Sequence, residues 1–295
     1  MPESATSGPV SGGSALGRSQ PAAPTAPDSR LDAALSERGL ARSRTHAARL
    51  IADGLVTVDG LPVIKPSARV GATSTVRVAK LDHYVSRAAH KLIAALNAFT
   101  VTVAGCRALD VGASTGGFTQ VLLERGAESV IALDVGHAQM SPSIRSDRRV
   151  RVVEGVNARY LDQAQLAAAS ASDSETAAID LVVADLSFIS LTMVLPALVA
   201  TVGPAADFVL LVKPQFEVGK SAIREGIVRQ PGLRNDAVNG VLWSAWDLGL
   251  KTAGVLSSPI LGTNGNHEYL VWLTGTHGSD PSEWASDVLT LTNGM

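Results

Sequence analysis

A single cysteine, Cys106, stands in a chain of 295 residues, so no internal disulfide can form, and this usage fits a reducing, cytoplasmic setting. Cys106 directly precedes an apolar run and reads as a small core residue rather than a nucleophile. No apolar stretch approaches the roughly 18 uncharged residues that a bilayer-spanning helix needs, which argues against a membrane protein of that class. Residues 1–27 lack a basic leader and an apolar segment, so they do not read as a secretion signal. They are made of Pro, Ser, Gly, Ala and Thr with only Glu3 and Arg18 charged, and a disordered tail is expected there. His137 and His267 have no partner at metal-ligand spacing, and no metal is expected.

The chain as a whole is 46% apolar and only 18% charged, enough to build one large α/β domain and a small companion. The net charge of −2 hides an asymmetry. Asp28 to Ile93 carries 11 basic against 6 acidic residues, and the chain from Ala94 onward carries 13 against 20. The leading segment is therefore the polyanion-facing part.

Within that segment, Arg30 to Gly39 reads as an amphipathic helix stopped by glycine, and Ser43 caps a second helix over Arg44 to Ala52. Leu55-Val-Thr-Val-Asp-Gly60 is a strand entering an Asp-Gly turn, and Ser74 to Val78 is another strand. The run Leu40-Ala-Arg-Ser-Arg-Thr-His-Ala and the later Gly54-Leu-Val-Thr-Val-Asp-Gly60 resemble the alpha-L RNA-binding motif found in a small-subunit ribosomal protein, pseudouridine synthases and tyrosyl-tRNA synthetases. That resemblance implies an RNA-binding domain over residues 29–80, with Arg42, Arg44 and Arg49 on phosphates.

Further on, Ser86 to Phe99 is a helix with one apolar face. Seven strand-like runs then alternate with helices: 107–111, 130–135, 149–153, 179–185, 207–212, 252–257 and 268–274. Helices are expected over Gly117–Arg125, Leu191–Val202 and Leu233–Leu248. Such alternation predicts a largely parallel, Rossmann-like sheet, and the short connection before the last run predicts one antiparallel strand. Arg107 to Val111 runs into Gly112-Ala-Ser-Thr-Gly116-Gly117-Phe118, a turn of small residues that opens a helix and suits a nucleoside cofactor. Asp134, 24 residues after Asp110, ends the next strand where an acid meets a ribose diol. Gly112 to Gly116 also spells G-x-S-x-G, but an oxyanion-hole motif is absent and the only late histidines are His267 and His277. Ser114 occupies the middle glycine of the dinucleotide fingerprint, which disfavours a pyrophosphate ligand.

Asp185 ends the apolar run Ile179 to Ala184, at the rim where open α/β sheets bind ligands. Lys213 ends an equally apolar strand, an expensive place for an amine unless it is paired or functional. With Ser86-Arg-Ala-Ala-His-Lys91, Ala184-Asp-Leu-Ser-Phe-Ile-Ser190, Val212-Lys-Pro-Gln-Phe-Glu217 and Glu268, the chain resembles the TlyA (haemolysin A) family of FtsJ-like rRNA 2′-O-methyltransferases over roughly residues 29 to 275. The resemblance implies S-adenosylmethionine as cofactor, ribosomal RNA in ribosomal subunits as partner, cytidine ribose as target, and a catalytic tetrad of Lys91, Asp185, Lys213 and Glu268. Lys213 is the expected base for the 2′-hydroxyl, since burial and a neighbouring ammonium favour a neutral amine. Gly112, Ser114, Gly116 and Phe118 are expected at the cofactor, with Asp110 near its amino-acid end, Asp134 on its ribose and Asn157 facing its adenine. Two positions depart from the family pattern: Ala88 replaces a common glycine, and Asp82 to Val85 lacks the basic residue and tryptophan of a typical linker. The expected layout is linker 81–85, methyltransferase domain 86–276 and a flexible C-terminal tail 277–295. A non-catalytic RNA-binding or ribosome-assembly factor and a membrane-active haemolysin are the alternatives; the second has no strongly amphipathic cationic helix to support it.

Overall fold

The computed structural model describes residues 28–52, 54–78, 83–170, 178–219, 223 and 225–294. The expected N-terminal tail (1–27) and the first half of the expected linker, including Asp82, lie outside them.

The leading unit contains β1 (Ser29–Arg30), α1 (Leu31–Glu37), α2 (Arg44–Ala52), β2 (Val56–Val58), β3 (Leu61–Pro62), β4 (Arg69–Val70) and β5 (Val76–Val78). Leu31, Leu35, Ala47, Ile51 and Val56 form its core. Ala47 and Ile51 lie on one face of α2, while Ala48 between them is only half-buried. Ser43 caps α2 as expected, its Oγ accepting from the His46 N–H at 3.1 Å. The strands assemble as β3-β2-β5 and a separate β1-β4 pair, with residues 63–68 between β3 and β4 irregular.

The second unit runs α3 (Ala89–Ala98), β6 (Arg107–Val111), α4 (Gly117–Glu124), β7 (Ser129–Asp134), α5 (Pro142–Arg145), β8 (Val150–Glu154), α6 (Gln163–Ser170), β9 (Leu181–Ala184), α7 (Leu191–Val202), β10 (Asp207–Val212), α8 (Pro214–Glu217), α9 (Pro231–Trp246), β11 (Lys251–Ser257), β12 (Tyr269–Thr274) and α10 (Ala285–Asn293). All seven expected strands are present, in the order β11-β12-β10-β9-β6-β7-β8. β6 to β10 pair in parallel where they are neighbours, and β12 runs antiparallel to both β10 and β11. Alternate strand residues feed two cores, as the pleat requires. Val182, Ala184, Leu210 and Val212 face one layer with Leu195, Val238 and Val241. Val183, Val209 and Leu211 face the other with Leu92, Phe118 and Leu122. Strand order reverses between β6 and β9, which places a topological switch point, and hence a ligand crevice, at their C-terminal ends.

The C-terminal segment corrects an expectation. Residues 281–293 are not a loose tail: a short 3₁₀ turn leads into α10, whose Val288 and Thr292 are fully buried. Trp284 Nε1 donates to the Thr252 carbonyl at 3.1 Å, and Arg234 of α9 donates to the Thr292 carbonyl at 2.7 Å. The segment is rich in Ser, Thr and Asn, poor helix formers, so docking on α9 rather than propensity stabilises it.

Candidate active site

The sheet register assembles the site. Val111 of β6 pairs with Ala184 of β9, so Gly112 and Asp185 follow side by side at the switch point. Val212 of β10 pairs with Tyr269 of the antiparallel β12, so Lys213 and Glu268 occupy the next rung. Lys91 comes from α3, whose Leu92 and Ala95 pack into the core beneath.

These four side chains meet. Lys213 Nζ lies 2.6 Å from Asp185 Oδ1, and Lys91 Nζ lies 2.7 Å from Glu268 Oε2 and 3.5 Å from Asp185 Oδ2. Lys91, Lys213 and Glu268 are only 5%, 7% and 3% exposed. Two ammonium groups and two carboxylates thus cancel in formal charge, which is what makes their burial tolerable. Burial alone would push the Asp185 carboxyl up, but Lys91 and Lys213 outweigh it and hold it below the ordinary carboxylate range. Gly262 completes the packing: a Cβ there would fall 2.0 Å from Glu268 Oε1.

A cavity of about 590 Å³ opens beside the tetrad, lined by Gly112, Ser114, Asp134, Asn157, Asp185 and Leu186 among others. A second hollow of about 210 Å³, lined by Phe118, Ser114 and all four tetrad residues, adjoins it. Gly112 has φ +82°, and a Cβ on it would sit 3.0 Å from the Asp185 carbonyl oxygen, so this turn passes where only glycine fits. Ser114 also lies in the left-handed region, at φ +49°. Its N–H donates to Asp134 Oδ2 at 2.8 Å, and Asp134 Oδ1 accepts from the Gly136 N–H at 2.7 Å. Asp134 therefore pins the turn to β7 while standing in the cavity wall.

Gly116 and Asp110 do not line the cavity. Gly116, at φ +96°, packs against Ile144. Asp110 is fully buried behind the turn and accepts from Thr119 Oγ1 at 2.6 Å. Burial pushes its carboxyl up to about 7, despite that hydrogen bond. It supports the turn from behind.

In the leading unit Arg42, Arg44 and Arg49 are all exposed around α2. Arg44 is tethered, donating to Asp32 Oδ2 at 3.2 Å. Arg30 is the stronger donor to the same carboxylate, which is held down near 2. One conspicuous residue escaped the sequence reading: Phe188, three positions after Asp185, is 92% exposed at φ +67°. Its only sequence signal is a large apolar residue just past the strand end. Among the described residues, no group of three or more His, Cys, Asp or Glu is placed to hold a metal ion.

A family model described as FtsJ-like methyltransferase matches residues 84–274, and an S4-domain model matches residues 29–76. A 16S/23S rRNA (cytidine-2′-O)-methyltransferase TlyA of Mycobacterium tuberculosis is 51% identical over 247 residues, 83% of this chain and 89% of the relative. The chain belongs to the TlyA family of FtsJ-like methyltransferases. Hemolysin A of Brachyspira hyodysenteriae is 36% identical to this TlyA-family chain, over 82% of it and 98% of the relative. A solved structure of a Streptococcus thermophilus protein described as a hemolysin superposes with a TM-score of 0.68 at 34% identity, covering 91% of this chain and 96% of that one. Both units of the TlyA-family architecture are thus present, S4 domain first. A methyltransferase of this family draws its methyl from S-adenosylmethionine, and the cavity over Gly112 has the depth and glycine cradle for a nucleoside. Among the described residues, no helix is long and apolar enough to cross a membrane.

Proposed function

We propose that this enzyme methylates the 2′-hydroxyl of a cytidine in ribosomal RNA, with Lys91, Asp185, Lys213 and Glu268 as its catalytic tetrad. The observation that carries the reading is the closed, charge-balanced tetrad beside a glycine-cradled cavity at the switch point. The TlyA relative bears that activity in its name. Gly112, Ser114, Asp134 and Asn157 would hold S-adenosylmethionine, which supplies an electrophilic methyl on a sulfonium.

A ribose hydroxyl is a poor nucleophile until its proton leaves, so the chain must supply a base at the right spot and keep water out. The carboxylates divide unequally between the two amines. Lys91 is held by Glu268 and by Asp185, whereas Lys213 shares Asp185 and bonds otherwise to the neutral Ser187 Oγ at 2.9 Å. Lys213 has the weaker anionic hold: its ammonium first gives its own proton to solvent, and the neutral amine then takes the hydroxyl proton at Nζ, restoring the charge-balanced tetrad. Lys91 remains the fixed cation, and Asp185 receives the hydrogen bond of whichever ammonium faces it. Phe188, exposed at the rim, offers a face on which an extruded base stacks.

The S4 domain would bring the subunit to the site through phosphate contacts. Replacing Arg42 and Arg49 together by alanine is expected to weaken subunit binding at low salt and to flatten the plot of log affinity against log salt by up to about 2 in slope, one per lost phosphate contact. Filter binding across a salt series reads this directly, and an unchanged slope removes these two arginines from the interface.

The function itself is tested by transfer of labelled methyl from S-adenosylmethionine to unmethylated ribosomal subunits, followed by digestion and separation of nucleosides. Label in 2′-O-methylcytidine is expected. Label in a base, or none despite subunit binding, refutes the reading.

A further inference from the structure

A third hollow, of about 240 Å³, shares Ser187, Lys213 and Glu268 with the tetrad hollow and Phe188 with the cofactor cavity. Phe188 and Phe216 form its aromatic wall, with ring centroids 5.3 Å apart. Most of its polar groups are already engaged. Lys213 is held by Asp185 and Ser187, and Glu268 by Lys91. Asn266 accepts from the Val228 N–H at 3.1 Å through Oδ1 and donates to the Gly226 carbonyl at 2.8 Å through Nδ2. Its amide therefore builds the wall and is committed at both ends.

Gln215 differs. It lies on α8, two residues beyond Lys213, is only 9% exposed, and its Oε1 is buried without a hydrogen-bond partner. Folded proteins keep few such acceptors, because a buried oxygen loses its water and gains nothing in return. An unspent acceptor on a side chain that lines a small aromatic-walled hollow, next to the amine that would take the ribose proton, calls for a flat ligand carrying an N–H donor. We infer that Gln215 is the specificity-determining residue for the target base: its Oε1 accepts a hydrogen bond from the exocyclic amine of cytosine. Uracil presents a carbonyl at that position, which sets oxygen against oxygen. This inference rests on the ribose-methylation reading above, since only that reading places a nucleotide beside Lys213.

The test compares the full-length enzyme with Gln215→Met, which keeps the chain length and removes the acceptor. Both are assayed under single-turnover conditions on subunits bearing either cytidine or uridine at the position mapped by methyl labelling. The wild type is expected to favour cytidine by about 100-fold or more, because a site built around a hydrogen bond rejects analogues that leave its polar group unpaired. Q215M is expected to lose about 10- to 100-fold on cytidine, the worth of one buried hydrogen bond. Its cytidine-to-uridine ratio should fall toward one, with S-adenosylmethionine affinity and melting temperature unchanged. A variant that keeps the wild-type preference overturns the inference, and so does a wild type that accepts both bases equally. If Q215M turns over too slowly to rank the two, competition between the two subunits for binding in S-adenosylhomocysteine reads the same ratio; an unchanged ratio again overturns it. Failure of the wild type to methylate either substrate is a different result and strikes the ribose-methylation reading itself.

Discussion

Replacing Lys213 by methionine is expected to slow methyl transfer by about 10²–10⁴-fold, the usual contribution of a positioned general base. S-adenosylmethionine affinity should stay unchanged, because the amine lines the tetrad hollow and not the larger cavity over Gly112. The loss should fall on the rate of the chemical step at saturating subunit, not on KM, since the amine acts on a proton that moves only in the transition state. Lys91 gives the contrast. Its removal strips Glu268, 3% exposed, of its cation 2.7 Å away. An unpaired buried carboxylate costs about 3–5 kcal/mol, so Lys91→Met should also lower the melting temperature markedly. Lys213→Met leaves Asp185 still facing Lys91 at 3.5 Å and should melt closer to the wild type. Rapid-quench single turnovers and thermal melts of both variants separate base from scaffold. A Lys213→Met enzyme that transfers methyl at near-normal rate with cofactor bound would falsify the assignment.

That contrast also shows what was legible in the sequence and what was not. Strands β9 and β10 could be read because parallel strands buried on both faces are continuous apolar runs, and Asp185 and Lys213 stand out by interrupting them. Glu268 and Lys91 had no such contrast. Glu268 becomes Lys213's neighbour only through the antiparallel register of β12, and Lys91 arrives on a helix that crosses from elsewhere in the chain. Family resemblance named both; pattern alone did not. The seven strands and the one antiparallel member followed from run lengths and from the short connection before β12. The docked α10 did not follow, because its Ser, Thr and Asn residues mask the few apolar positions that tertiary packing uses. Phe188 and Gln215 were invisible for a related reason. Exposure of an apolar ring and burial of an unpaired amide are properties of the folded surface, and residue type predicts the opposite of each.

Asp110 yields the second large effect, in stability and with a definite sign. Its carboxyl ordinarily titrates near 3.8, and burial raises it to about 7 in the folded chain, so the folded state holds this proton more tightly than the unfolded one. The stabilisation from the neutral acid is complete below about pH 4 and is lost as pH rises toward and through 7. Above that, the chain carries an ionised carboxylate with one oxygen, Oδ1, lacking any partner. The rise from 3.8 to about 7 sets an upper bound of about 4 kcal/mol on the loss. Asp110→Asn stays neutral throughout and still accepts from Thr119, whose hydroxyl now reaches Oδ2 at 2.6 Å. The variant should therefore match the wild type near pH 4 and exceed it by about 1–4 kcal/mol at pH 8. Asp185 does not blur this window. Its carboxyl is held low by the lysines, so its contribution is present above about pH 4 and is lost only as the pH falls through its depressed folded value. Urea unfolding at pH 5 and pH 8 decides the matter: wild type and variant must diverge as pH rises. Parallel stabilities across that range would mean that Asp110 ionises at no cost, which overturns the reading of a carboxyl raised by burial.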